Sequence, residues 1–444
     1  MFTFPLLTLL GCPPSDDQNP IASGDSDSAV DTDPCAAGPT VTISSPADGA
    51  VFSTGDAVSL EASGAGTVLT ASWSVDSVVV ASEPSASWTA EAGDHLVSVT
   101  WETECGSASD EVSVQVLDSL VSVYGDDAGL SGLSWRGLSA GSDGSVWAAT
   151  DVGLFHVVAA SDGESATVRT YTTADGLYTE GPYSVLAHSD GSVWVGDVGD
   201  LERQGSHFSV GSDGALTLLD SVAFTATAEV AYVLRMREQP FGEGAGDVWM
   251  GTNEGACVYD EDQAVFIEHA HPTHPHGLSY GIAFTPDANM WNGDQNQISR
   301  WLYDDDAYIF DDLLEYWVPW PVELEAVIDL TDIDADEYTL WVASSTYGIV
   351  RVDVGTEVAT SVTTVMESPF PTSANAIRAD GDGHVWIGSD TGLMVWDTAT
   401  ETMTDVTAFL PDTGVTQLTV DPSTTPPTVW AATSGGLVRF TGSP

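Results

Sequence analysis

The chain has 444 residues, enough for two or three domains with full cores, and 43% of them are apolar, an ordinary share for a folded protein. It contains no lysine, and nine arginines face 67 acidic residues for a formal net charge of −58. A phosphate backbone needs a cationic footprint, so nucleic acid is excluded as a partner. Such a surface suits a salty or extracytoplasmic medium and attracts divalent or basic partners.

The chain opens on "MFTFPLLTLLGCPPSDDQNP", a nine-residue apolar run from Phe2 to Leu10 that is too short to span a bilayer, followed by Gly11 and Cys12. This start resembles a bacterial lipoprotein signal. The resemblance implies removal of residues 1–11, a lipid on the Cys12 thiol, and attachment to a membrane through that anchor, with about 0.8 kcal/mol contributed by each buried methylene. The expected location is the cell envelope, at the outer membrane, the cell surface or in the periplasm. Residues 12–38 are Pro, Ser and Asp with little to bury and read as a disordered acidic tether.

Residues 39–118 carry short alternating runs such as "AVSLEAS", "LTASWSVD" and "HLVSVTWET" between Gly, Pro, Asp and Ser, which predicts an antiparallel sandwich of about seven strands. "ISSPADGAVFSTGDAVSLEAS" and "SWSVDSVVV" resemble the immunoglobulin-like repeats of bacterial surface proteins, which implies a spacer or adhesion role. In such a sandwich the start of the first strand shares a pole with the turn between the sixth and seventh. Cys35 and Cys105 occupy those places and are expected to form a disulfide, which would stabilise by about 4 kcal/mol in the chain-entropy treatment. Cys257, in the apolar strand "GACVYD", reads as an inert buried thiol.

Residues 119–444 repeat. "VWAAT", "VWVGD", "VWMGT", "MWNGD", "LWVAS", "VWIGS" and "VWAAT" place tryptophans at 147, 194, 249, 291, 341, 386 and 430, each in the middle of an alternating strand, a turn, the Trp strand, a glycine turn and a third strand. One unit cannot hide its apolar face alone, so seven four-stranded units should stack around an axis as a β-propeller. The unit resembles the propeller repeat of two-component regulators and ligand-sensing periplasmic propellers, with "DGLYTEGPYSVLAHSDGSVWVGD" and "SANAIRADGDGHVWIGSDTGLMVWD" as its best copies. The expected fold is all-β, a seven-bladed propeller preceded by a small Ig-like sandwich. The last unit lacks a fourth strand, and "LVSVYG" (120–125) should supply it and close the ring.

"DIDADEY" (332–338) and "DGDGHVW" (380–386) fall, by this alignment, on turns between first and second strands and read as Asp turns; the first lacks the glycine and distal glutamate of a calcium loop. "EHAHPTHPHGLSYG" puts His269, His271, His274 and His276 within eight residues, in a loop leading into an innermost strand. Two readings stand: a solvated loop stiffened by Pro272 and Pro275, or a site for a divalent metal such as zinc or calcium. The residue eleven before the Trp is Arg136, Tyr183, Tyr280 or Asn375 in four regular units, near the channel mouth. That cluster suits hydrogen bonding and ring stacking against a sugar or small polar molecule, with strand capping as the structural alternative. No catalytic residue is assigned. The chain is expected to be a monomeric binding or scaffold protein for a polar small molecule, glycan or protein partner. The second function considered is a cell-surface polysaccharide or lactone lyase or hydrolase using a histidine and a divalent metal.

Overall fold

In the computed structural model the regular structure of the described residues is strand, apart from three short 3-10 turns. The structure describes Cys35 and residues 38–443, except 161–162, 164, 198–203, 223–231, 241, 243, 254, 261–264, 270–277, 295–296, 305–306, 311–329, 347, 355–358 and 366–372. Cys12 and the three histidines His271, His274 and His276 lie outside the described residues. No described helix is long and apolar enough to cross a membrane.

The N-terminal unit contains β1 (Thr40–Ser45), β2 (Ala50–Ser53), β3 (Ala57–Ala65), β4 (Val68–Val75), β5 (Val78–Ala81), β6 (Ser85–Thr89), β7 (Gly93–Thr103) and β8 (Gly106–Tyr124). One sheet runs β1-β3-β6 and the other β8-β7-β4-β5. Strict alternation along β3, β4 and β7 turns Leu60, Trp73, Val97 and Val99 into one buried core between them. β2 is too short to show alternation, and it pairs parallel with β8 rather than antiparallel like its neighbours. Cys35 and Cys105 are joined by a disulfide, with Cα atoms 5.0 Å apart.

β8 is 19 residues long and serves two sheets. Gly106 to Val116 pair with β7, and Asp118 to Tyr124 pair with the C-terminal strand Gly436–Ser443, Val123 lying opposite Val438. The segment after the N-terminal unit thus completes the last sheet of the ring, as the truncated final repeat requires. Leu117, at the crossover, is buried beside Phe440, Trp386 and Val406, with Val51 of β2 packed against the same cluster.

Among the described residues six four-stranded sheets follow one another, and Val415–Asp421, Thr428–Thr433, Gly436–Ser443 and the end of β8 make a seventh set of four within the larger sheet that β8 shares with the N-terminal unit. Their innermost strands are Trp135–Ala140, Ser184–Ala187, Val233–Glu238, Ser279–Phe284, Leu330–Asp336, Ala376–Ala379 and Val415–Asp421, and each lies beside the next, the seventh returning to the first. The second strand of every sheet carries its tryptophan, at most 4% exposed. Each indole fills the joint with the following blade: Trp147 meets Val185 and Phe208, Trp291 meets Ile333 and Leu340, and Trp430 closes the circle on Leu138 and Ala148. Seven buried interfaces of one kind are what hold a unit that would be unstable alone. The closure is also hydrogen-bonded, Trp135 Nε1 donating to the Thr433 carbonyl at 2.6 Å and Gly132 N to Ser434 at 2.7 Å.

Candidate functional site

The seven innermost strands begin alike. In five blades the register slips by one residue at the strand start, and in the other two Tyr183 and Asn375 donate their N–H to Gly196 and Gly388, the residues their successors pair with. The bulged positions are Arg136, Tyr183, Leu234, Tyr280, Thr331, Asn375 and Thr416, so the four residues singled out by spacing from the Trp do occupy equivalent places in the ring. Their side chains have different uses. The Arg136 guanidinium lies 5.5 Å from the Tyr183 ring centroid and donates to the Gly181 carbonyl at 2.7 Å. Tyr280 belongs to the next pair of blades and lies in the electrostatic reach of Arg235, as Tyr183 does. Asn375 instead donates to Asp390 at 2.7 Å and to the Val415 carbonyl at 3.0 Å, the capping role.

Polar residues in the turns between second and third strands cap as well. Asp151 accepts from Ser134 N, Asp197 from the Thr179 hydroxyl and Asn253 from Tyr232 N, each tying a turn between second and third strands to the segment that enters the same blade's innermost strand.

One residue further along, the ring positions are Gly137, Ser184, Arg235, Gly281, Asp332, Ala376 and Gln417. Four small residues there leave space on the axis. A cavity of about 220 Å³ fills it and is lined along the strands as far as Ala140, Ala187, Glu238 and Pro422. Arg136, Tyr183, Tyr280 and Asn375 are not in its lining; the cavity starts just past them.

Its charged lining comes from three blades. Arg378 donates to Asp332, and Asp332 Oδ2 also accepts the Ile377 N–H at 3.2 Å. Arg237 Nη2 lies 3.2 Å from Asp334 Oδ1, and Asp334 Oδ2 accepts the Ala379 N–H at 3.1 Å. Among the described residues Arg235 pairs with no carboxylate: its Nη1 donates to the carbonyls of Leu234, at 3.1 Å, and Arg136, at 3.4 Å. Burial pulls all three guanidiniums down in pKa. For Arg378 the two carboxylates outweigh it and the value rises, whereas Arg235 and Arg237 stay below the usual arginine range.

Asp332 and Asp334 correct the expectation for "DIDADEY". The hairpin that follows is tight, Asp336 pairing with Thr339, so the innermost strand runs on through Asp336 and the first two aspartates lie on it rather than in a turn. "DGDGHVW" is a turn: Asp380 Oδ1 accepts the N–H groups of Asp382 and His384 at 2.8 and 3.0 Å. Spacing from the Trp missed Arg235, Arg237 and Arg378 as well. A signal existed, because "VLRMRE" concentrates two of only nine arginines at alternate positions of one strand.

Of the histidine run, His269 ends the strand Val265–His269, opposite Ala256, and the other three lie outside the described residues. Among the described residues no three His, Cys, Asp or Glu side chains gather as a metal site. Cys257 is buried, its thiol 3.5 Å from the Met250 carbonyl.

No protein-family model and no curated protein matches the chain. Solved structures do. A streptogramin B lyase aligns with a TM-score of 0.54 at 15% identity, over 73% of this chain and 97% of the lyase. Extracellular domains of a hybrid two-component system and a one-component system from B. thetaiotaomicron align at 0.53 and 0.51, both at 16% identity, over 78% and 72% of this chain. The aligned part spans 44% and 39% of those two chains. At such identity the likeness shows the fold, an all-β propeller, and not the activity.

Proposed function

We propose that the chain is an exported, lipid-anchored binding or scaffold protein, in which the N-terminal unit acts as spacer and the propeller presents its axis to a polar small molecule, glycan or protein partner. The observation that carries this reading is the concentration of Arg136, Tyr183, Tyr280 and three channel arginines around one axial cavity, in a chain whose surface is otherwise almost without positive charge. A guanidinium stacked on a phenol ring is a common way to grip the face and hydroxyls of a polar ligand. Glycan and peptide arrays probed with the mature protein should yield binders that Tyr183→Ala weakens at least tenfold; a head that binds nothing on either array, or binds equally after the change, refutes it. The Cys12 anchor is tested by Cys12→Ser, which should release the protein from membranes.

The enzyme alternative rests on the histidine run, whose His269 end leads toward the strand of Tyr280. Metal analysis of untagged protein beside a His271→Ala/His274→Ala variant tests it. Stoichiometric metal that is lost in the variant supports a metal-dependent head, and equal content in both leaves the loop without that role.

A further inference from the structure

We infer that the axial cavity is a binding site for a small carboxylate, held chiefly by Arg235 with Gln417, Ser139 and Thr419. This rests on the reading of the propeller axis as the ligand site and adds the chemistry of what enters it. Three guanidiniums and Asp332 line the channel, with Asp334 behind Arg237, and their pairing is uneven. Arg378 is matched by Asp332 and Arg237 by Asp334, while among the described residues the hydrogen-bond partners of Arg235 are carbonyls. A cation without an ion-pair partner inside a protein is costly, and among the described residues no carboxylate pairs with this one, the charge of Asp332 that reaches it being shared with Arg378. Glu238, the other acid of the lining, is engaged at the far end of its strand, where it accepts the Ser189 N–H at 2.8 Å and faces His188 Nε2 at 3.7 Å.

The remaining uncommitted polar side chains of the lining can each donate. The hydroxyls of Ser139 and Thr419 already accept main-chain N–H groups, from Ala187 at 2.9 Å and Ala140 at 3.2 Å, so each keeps its own proton to give. Gln417 lines the cavity with its amide bonded to no described group. A set of donors around one unmatched positive charge calls for one negative charge. A carboxylate matches a planar guanidinium in shape, whereas a phosphate dianion would face Asp332 and Asp334 with excess charge. The volume of about 220 Å³ equals roughly seven waters, too large for a bare halide and enough for an acid up to the size of a single uronic acid. The lowered pKa of Arg235, set by burial with Asp332 and Arg378 acting in opposite senses, agrees with a cation short of counter-charge.

The test is calorimetric titration of the full chain in chloride-free buffer with acetate and glucuronate, with glucose, chloride and phosphate as counterparts. Acetate and glucuronate should bind in the micromolar to millimolar range and glucose should not. Arg235→Gln and, separately, Gln417→Leu should weaken carboxylate binding at least tenfold, with Arg439→Gln, whose guanidinium stacks on Trp430 away from the cavity, unchanged. The inference fails if no carboxylate binds, if chloride or phosphate binds as well as acetate, or if both cavity variants titrate like the parent. Glucose binding equally with glucuronate would sink the carboxylate while leaving a ligand-binding head. Unchanged titration with a lower melting temperature for Arg235→Gln would assign the arginine to holding the ring together.

Discussion

At the scale of single residues, the tryptophans explain where the scarce cations went. Across the sheet from each blade's indole stands a residue of the third strand, and in five blades it stacks: His156 on Trp147 and His207 on Trp194, both with centroids 4.1 Å apart, and Arg300, Arg351 and Arg439 over Trp291, Trp341 and Trp430. Burial pushes both stacked histidines down in pKa, so they pack as neutral rings. His384 behaves oppositely. Its bond to Asp380 at 3.1 Å raises its pKa against burial, with the charges of Asp397 and Asp382 adding to the rise. Asp380 resists burial through His384 and two N–H donors and is held below the ordinary carboxylate value. The histidine's contribution is complete below its unfolded pKa of about 6.5 and is lost as pH rises through the raised folded value; the aspartate's is present above about 3.9 and is lost as pH falls through its lowered value. The stability difference between the parent and His384→Gln should therefore be largest between about pH 4 and 6.5 and shrink above that, as read from urea midpoints across pH. A difference that does not vary with pH would show the pair to be inert.

At the scale of elements, β8 decides how the two parts of the chain relate. One strand ends a sandwich sheet and also closes a propeller blade, so opening of either core is expected to reach the other. Leu117 is the hinge of that coupling, 2% exposed among Trp386, Phe440 and Val51. Leu117→Ala should cost about 2–5 kcal/mol. It should also split a single calorimetric transition into two, because the strand would no longer be clamped on both sides. One unsplit transition in the variant would mean that the hydrogen-bonded ladder alone couples the units. The closing blade imposes a further constraint: a Cβ on Gly436, at φ 133°, would fall 2.2 Å from the Tyr124 carbonyl of β8, so only glycine lets the ends meet.

At the scale of the whole molecule, a net charge of −58 opposes compaction. Of the eight described arginines, four lie at or in the channel, three lie over blade tryptophans and Arg169 lies over Tyr171, so few cations remain on the surface to offset the acids. The melting temperature should climb as sodium chloride rises from about 0.01 to 0.15 M, a range over which the screening length falls from about 30 to 8 Å. A flat response would mean that the acidic groups are far enough apart not to matter.

The repeat of seven indole strands, the missing fourth strand, the Asp-Gly turns and the pairing of Cys35 with Cys105 were legible because each depends on local alternation, turn chemistry or strand order along the chain. The ring places of Arg136, Tyr183, Tyr280 and Asn375 were legible for the same reason, since they keep a constant distance from the Trp. What each of those side chains does was decided by neighbours from other blades: Asn375 caps, and Arg136 stacks on the blade beside it. The channel network was hidden for that reason. Arg237 meets Asp334 from two blades away, and the place of Asp334 on a strand turns on the length of one hairpin, which the spacing of tryptophans does not encode. Local periodicity set the ring and its order, and only closure around the axis brought together the charges that make a site.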